Sequence, residues 1–211
     1  VGVLSGSQAR FVPTTSALKL VRPRRPSQRR RATTEQCSVY LALVLRAHGS
    51  GKTALLRNLV GKPFQGKYTP SHRLQRAVAA VEQGGAERYL VLQEYGAHNE
   101  AEALRKPSKL NNVNVIVFVY DSSDTNSFSY ISNLRQQYPY LASFPTLFVA
   151  TKSDLDLARQ RHEVQPDMYC RKLGLNIPHL GAGPLNVSAY LDEMAQLYNI
   201  LLSIAMDSRG A

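Results

Sequence analysis

The sequence has few of the residues that build a disulfide-stabilised, zinc-binding or membrane-spanning protein. It contains two cysteines, five histidines and no tryptophan in 211 residues. The cysteines form no C-x-x-C pair and the histidines have no metal-ligand spacing, so neither a disulfide framework nor a zinc site is expected. No apolar run approaches the roughly 20 residues of a transmembrane helix. The sequence therefore predicts a soluble chain in a reducing compartment such as the cytosol.

Acidic residues are missing from the first 34 positions, which hold eight of the 26 lysines and arginines. The remaining 18 basic residues nearly balance the 15 acidic ones, so the net charge of +11 comes mainly from this segment. Because residues 1–37 show no apolar periodicity, we predict a basic, flexible linker there. Binding to acidic lipid or to nucleic acid is the alternative. Nucleic acid is the less expected partner, since no aromatic residue lies among the arginines of residues 22–31 to stack on a base.

The chain begins with Val1 rather than methionine, so we expect a fragment or a processed product. For the same reason residues 1–37 fit an internal linker better than a transit peptide. Residues 38–206 are predicted to form one domain, because a chain of this length is sufficient for one buried core. Residues 207–211 are predicted to be a C-terminal tail.

From residue 38 onward, strand-like apolar runs alternate with segments of helical character. The first run is continuously apolar, as in strands that are covered on both faces. Gly84-Gly85 predicts a hairpin whose second strand lies beside the first strand of the chain. Strands separated by helices of this size predict an α/β fold with a mostly parallel six-stranded sheet and helices on both faces. The predicted strands are residues 39–45, 77–81, 89–92, 113–120, 146–150 and 185–187, and the predicted helices are residues 52–60, 127–138, 167–173 and 191–206.

The run Gly49-Ser50-Gly51-Lys52-Thr53 directly after the first strand has the composition of a phosphate-binding loop. In such loops successive backbone N–H groups point at phosphate oxygens, the lysine reaches the outer phosphates and the threonine hydroxyl binds Mg²⁺. The full pattern G-x-x-x-x-G-K-[ST] has a glycine where this chain has Arg46. Two interpretations remain open. Either the Arg46 side chain points away from the phosphates, or it clashes with the backbone conformation of the loop and lowers the affinity.

Two further motifs follow predicted strands, and ligands of open parallel sheets bind at the carboxyl ends of the strands. Thr151-Lys152-Ser153-Asp154 resembles the guanine-specificity motif N/T-K-x-D of Ras-like GTPases, and Val187-Ser188-Ala189 resembles their S-A-x element. In the first motif the aspartate accepts two hydrogen bonds from guanine, and adenine has no such pair of donors. Lys152 follows Lys52 by 100 residues, the separation that the Ras-like fold requires. The motifs together predict a guanine nucleotide as the ligand.

Three longer stretches narrow the resemblance. Residues 91–96, 119–128 and 148–156 are similar to the C-terminal GTPase domain of the mitochondrial Rho (Miro) GTPases, particularly the fungal form. The resemblance covers residues 14–206 and implies a Ras-like P-loop GTPase domain that binds GTP and GDP with Mg²⁺ and hydrolyses GTP slowly. Family members are large proteins that also contain an N-terminal GTPase domain, EF-hand pairs and an anchor in the mitochondrial outer membrane. They act on its cytosolic face in mitochondrial organisation and transport, which implies protein effectors or adaptors.

The resemblance also assigns a role to each matching residue. Lys52 and Thr53 are expected to act in catalysis. The sequence contains no D-x-D-x-D-G calcium loop, so calcium binding is not assigned to this chain. The implied phosphate-binding residues are Gly49, Ser50, Gly51 and Lys52, the implied metal ligands are Thr53 and Ser71, and the implied guanine-binding residues are Thr151, Lys152, Asp154, Ser188 and Ala189.

The segment around Gly96 departs from the family pattern D-x-x-G. Counting back from Gly96 gives Gln93, whereas the chemistry of a carboxylate favours Glu94. Ras-like enzymes orient the attacking water with a glutamine after this glycine, but here Ala97 and His98 follow, and we interpret His98 as a solvated loop side chain. Two functions remain open: a GTPase with slow or partner-dependent turnover, and a pseudo-GTPase that serves as an interaction scaffold.

The substitution Asp154→Asn tests the predicted guanine specificity. The change exchanges an acceptor for a donor, so GTP binding should weaken by at least about tenfold while binding of xanthosine triphosphate improves. Competition of both nucleotides against fluorescent GDP measures the selectivity, and Asp156→Asn is the matched control outside the motif. An unchanged preference for GTP in the Asp154 variant would contradict the assignment.

Overall fold

The structure is a computed structural model, and it describes residues 38–62, 74–83, 86–175, 183–189 and 194–210. The predicted linker, residues 1–37, and the predicted metal ligand Ser71 lie outside these residues. The described part of the chain alternates strands and helices, as the apolar pattern predicts.

Six strands form one sheet in the order β2-β3-β1-β4-β5-β6. β2 and β3 are antiparallel and all other neighbours are parallel, so the predicted six-stranded, mostly parallel sheet is confirmed. The predicted place of the hairpin is also confirmed, because β3 pairs with β1. The strands are β1 (Ser38–Arg46), β2 (Gln75–Gln83), β3 (Ala86–Glu94), β4 (Val115–Asp121), β5 (Thr146–Thr151) and β6 (Leu185–Val187).

The central strands are apolar because they are covered on both faces. Every residue of β4 and of β5 is buried. β4 begins at Val115 rather than at residue 113, because the N–H of Val113 closes a turn on the carbonyl of Leu110. The side-chain oxygen of Asn114 then accepts a hydrogen bond from the N–H of Leu41, at 2.9 Å.

Helices cover both faces of the sheet, as predicted. Helices α1 (Lys52–Leu59) and α5 (Met194–Gly210) pack on one face, and their apolar side chains join those of β1, β2 and β4 in one core cluster. Helices α2 (Ala97–Leu104), α3 (Ser127–Gln137) and α4 (Pro166–Lys172) pack on the other face. The short 3₁₀ helices Pro107–Leu110 and Pro139–Ser143 extend that second layer.

Two predictions about local structure are wrong. Helix α2 was not expected, and it places His98 in a helix rather than in a loop. The eight residues of α2 give a weak sequence signal, and their helix is stabilised by burial of Ala103 and Leu104 against the sheet. Helix α5 continues to Gly210, so residues 207–210 are helical rather than an irregular tail. None of the helices in the described residues is both long and apolar enough to cross a membrane.

Cys170 is the one cysteine within the described residues, and it behaves as a core residue. Its side chain is buried in the layer formed by α3 and α4, and this burial raises the pKa of the thiol to about 12. The thiol is therefore protonated at neutral pH and has little nucleophilic reactivity.

The substitution Leu202→Ala tests the packing of α5 on the sheet. Leu202 is 0% exposed, so the cavity and the lost apolar contacts should lower the free energy of unfolding by about 2–5 kcal/mol. The matched control is Leu157→Ala, because the Leu157 side chain is 74% exposed and should contribute little. Chemical denaturation followed by circular dichroism measures both, and similar losses in the two variants would contradict the packing described.

Candidate nucleotide-binding site

The candidate site lies at the carboxyl edge of the sheet, where the chain leaves β1, β5 and β6. Residues 47–51, here called the phosphate loop, join β1 to α1. Residues 152–155, here called the base loop, follow β5, and Ser188 and Ala189 follow β6. These three strands run in the same direction within one sheet, so the loops that follow them lie at the same edge.

The phosphate loop turns sharply and requires glycine at two positions. Gly49 and Gly51 have φ angles of 75° and 83°, a left-handed conformation that L residues rarely adopt. Ser50 is completely buried, and its hydroxyl donates to the carbonyl of Ala47 at 2.8 Å. The N–H of Ala47 in turn donates to the carbonyl of Val119 in β4, at 3.1 Å. The loop is therefore attached to the sheet at its start and closed on itself.

Helix α1 begins immediately after the loop. Gly51 is its N-cap, and Lys52 and Thr53 are its first two helical residues. The backbone N–H groups of a helix N-terminus and the positive end of its dipole favour a bound anion. This arrangement fits the prediction that residues 49–53 bind phosphate, although their roles as ligands remain predictions.

Thr151 joins the phosphate loop to the base loop. Its Oγ1 lies 2.9 Å from the carbonyl oxygen of Ser50 and 2.9 Å from that of Tyr120. The residue is buried and is the last residue of β5. One hydroxyl therefore fixes the position of the phosphate loop relative to the ends of β4 and β5.

Lys152 has a left-handed backbone with a φ of 60°, the only such non-glycine residue in the described part of the chain. Its Nζ forms an ion pair with Oδ2 of Asp121, the last residue of β4. Burial acts to raise the pKa of Asp121, but hydrogen bonds from Lys152 and Ser123 outweigh it, so the pKa lies below its ordinary value. Asp121 is thus ionised at neutral pH and orients the lysine.

Asp154 projects from the base loop and is held by the segment after β6. The hydroxyl of Ser188 donates to Oδ1 of Asp154 at 2.5 Å, and the N–H of Ser153 donates to the carbonyl of Val187 at 3.3 Å. Ser188 is completely buried, whereas Asp154 is exposed. Its carboxylate is therefore oriented by a contact within the protein.

The Arg46 side chain extends toward the end of β3 and also contacts the carbonyl of Ala47, the first residue of the phosphate loop. Its Nε donates to Oε1 of Glu94 at 2.9 Å, and both side chains are buried. The residue ends β1 and does not have a positive φ, so the expected clash with the loop backbone does not occur. Of the two interpretations, the structure supports the first. Gln93 is also engaged, because its Oε1 accepts a hydrogen bond from Nε of Arg76 at 2.7 Å.

The residues around Gly96 do not fit the carboxylate part of a Ras-like Mg²⁺ site. Gln93 has no carboxylate, and the carboxylate of Glu94 is bound by Arg46. Within the described residues, no three or more histidine, cysteine, aspartate and glutamate side chains cluster as metal ligands. Thr53 and Ser71 remain the predicted ligands.

Sequence reasoning missed two features of the site. The first is Asp121. Ligands of open parallel sheets bind at the carboxyl ends of strands, and Asp121 could have been found by inspecting the end of β4. The pairing of Arg46 with Glu94 joins residues 48 positions apart. Only the parallel pairing of β1 with β3 brings these two residues together, and no local pattern predicts it.

Comparison with known proteins agrees with this geometry. Residues 42–196, which include the phosphate loop, the base loop and the segment after β6, match the Ras family. The chain belongs to the Ras family. Within this family, it is 62% identical over 94% of its length to Mitochondrial Rho GTPase 1 of Mycosarcoma maydis. It is 49% identical over 96% of its length to the protein of that name from Cryptococcus neoformans, and 40% identical over 87% to that from Gibberella zeae.

These relatives confirm the predicted resemblance to the mitochondrial Rho GTPases and the Ras-like fold. The Ras-family chain spans only 26%, 29% and 28% of the lengths of the three relatives. The match therefore concerns only part of each relative, and the roles of the individual binding residues remain predictions.

The substitution Thr151→Val tests whether the Thr151 hydroxyl holds the site together. The change keeps the side-chain shape but removes the hydrogen-bonding group between the two loops, so GDP affinity should fall by about tenfold. Fluorescent GDP titration measures the affinity. The matched control is Thr146→Val at the opposite end of β5, where Oγ1 donates to the carbonyl of Phe144 at 2.9 Å. Equal affinity in the two variants would show that Thr151 does not organise the site.

Proposed function

We propose that this Ras-family domain binds GTP and GDP and hydrolyses GTP slowly. The carrying observation is the contact of Thr151 with Ser50, which joins a phosphate loop to a loop whose aspartate is already oriented by Ser188. A phosphate site and a guanine-reading carboxylate in one rigid unit fit a guanosine phosphate better than any other nucleotide. The similarity to proteins named Mitochondrial Rho GTPase 1 supports the same ligand.

Hydrolysis would proceed by direct attack of water on the γ-phosphate. Lys52 and the backbone N–H groups of the phosphate loop would stabilise the charge that develops on the phosphate oxygens. No glutamine follows Gly96 to orient the water, since Ala97 and His98 occupy those positions. Turnover should therefore be slow without a partner. When bound, Mg²⁺ would supply further neutralisation of the phosphate charge.

The cellular role that we propose rests on the family resemblance, and the name of the relatives supports an association with mitochondria. A protein containing this domain would act at the cytosolic face of the mitochondrial outer membrane, in mitochondrial organisation and transport. Its attachment to the membrane would come from a part of the parent protein outside this chain. Guanine nucleotide would then control binding of protein effectors or adaptors.

A pseudo-GTPase that serves as an interaction scaffold is the second candidate. It is favoured by the buried ion pair of Arg46 with Glu94. Arg46 stands where the phosphate-loop pattern has its first glycine, and Glu94 stands in the segment where the pattern D-x-x-G has its aspartate. In this case nucleotide would be bound without turnover, or would not be bound at all.

Fluorescent GDP titration followed by single-turnover hydrolysis of GTP distinguishes the candidates. We expect binding that saturates with one nucleotide per chain, and slow release of phosphate from bound GTP. The variant Lys52→Ala should lose both, because it removes the cation predicted to contact the outer phosphates. Lys62→Ala, an exposed lysine beyond the other end of α1, is the matched control. Nucleotide binding without phosphate release would contradict the proposed GTPase activity and favour the pseudo-GTPase scaffold.

A further inference from the structure

The buried ion pair of Arg46 with Glu94 joins the phosphate loop to the end of β3. Nε of Arg46 donates to Oε1 of Glu94 at 2.9 Å, and Nη1 of the same guanidinium donates to the carbonyl of Ala47 at 3.1 Å. Ala47 is the first residue of the phosphate loop, and Glu94 is the last residue of β3. One guanidinium therefore contacts both segments at once.

The pair is isolated from water. Arg46 and Glu94 have side-chain exposures of 7% and 0%. An ion pair at such a depth is maintained because separating its members would leave an uncompensated buried charge. The carboxylate of Glu94 thus has a partner of opposite charge that does not depend on any ligand. The printed ion pair uses Oε1 of this carboxylate, so its charge is already balanced within the protein.

Gln93, the residue before Glu94, also has an arginine as its partner. Nε of Arg76 in β2 donates to the side-chain oxygen of Gln93 at 2.7 Å. Gln93 and Glu94 are the two positions at which this chain might have provided the D-x-x-G aspartate. Both side chains are engaged by arginines, which connect the end of β3 to β1 and to β2.

We infer that Arg46 and Glu94 act as positioning residues, and that their pair sets the position of the phosphate loop so that guanine nucleotide binds with little dependence on Mg²⁺. In a site with an aspartate at this point, the metal connects the end of β3 to the nucleotide. Here a protein contact makes the connection between β3 and the loop. The inference rests on the proposed function, because it assumes that the site takes GDP.

The decisive measurement compares GDP affinity in the presence of Mg²⁺ and in EDTA. For the wild-type chain we expect the dissociation constant to rise by less than about tenfold when the metal is removed. A larger rise would overturn the inference and leave the proposed function intact. No binding under either condition would overturn both.

A double substitution tests whether the pair is the cause. Arg46→Met with Glu94→Leu removes both charges together and avoids leaving one of them buried alone. The dissociation constant in EDTA should then rise by more than about tenfold, with partial recovery in Mg²⁺. A purely structural role would lower the melting temperature and leave the ratio of the two dissociation constants unchanged, which would overturn the inference.

The control removes an ion pair of one basic and one acidic residue from the surface. Nζ of Lys109 lies 3.3 Å from Oε1 of Glu102, and both side chains are exposed. Glu102→Leu with Lys109→Met should leave the ratio at its wild-type value, and a change as large as that at Arg46 and Glu94 would overturn the assignment. If the Arg46 and Glu94 variant does not fold in circular dichroism, the wild-type comparison in EDTA can still overturn the inference.

Discussion

The geometry of the site depends on one buried hydroxyl. Thr151 ends β5 and contacts the carbonyl oxygens of Ser50 and Tyr120, so it fixes three segments that the sheet alone would only bring close. Parallel pairing sets which strands are neighbours, but it does not set the height of a loop above the sheet edge. The hydrogen bond from Thr151 in the sheet to Ser50 in the loop sets that height. The phosphate loop and the base loop consequently have a defined separation.

The charges around this hydroxyl are compensated within the protein. Arg46 is neutralised by Glu94, and Lys152 by Asp121. Arg46 and Lys152 therefore each have an acidic partner within the protein, and the backbone N–H groups at the start of α1 lie beside them at the carboxyl edge of the sheet.

Apolar patterning predicted the sheet well because the strands are buried in a way that composition reveals. The continuous apolar runs of β1, β4 and β5 occur where both faces are covered, and Leu185–Val187 has the predicted bounds. Helix α2 was missed because its signal is short and its stability comes from packing of Leu104. The site was predictable to the extent that its residues lie in local motifs. The partner of Arg46 was not, because sheet pairing alone brings Glu94 beside it.

The backbone of Lys152 shows how the site limits further stabilisation of the fold. A left-handed φ in a lysine costs on the order of 1 kcal/mol, and glycine at this position would relieve that cost. The same replacement would delete the side chain that pairs with Asp121 beside the base loop. The gain in backbone conformational energy from glycine would therefore come with the loss of a buried acid's ionic partner, so thermal stabilisation at this position is limited by Asp121.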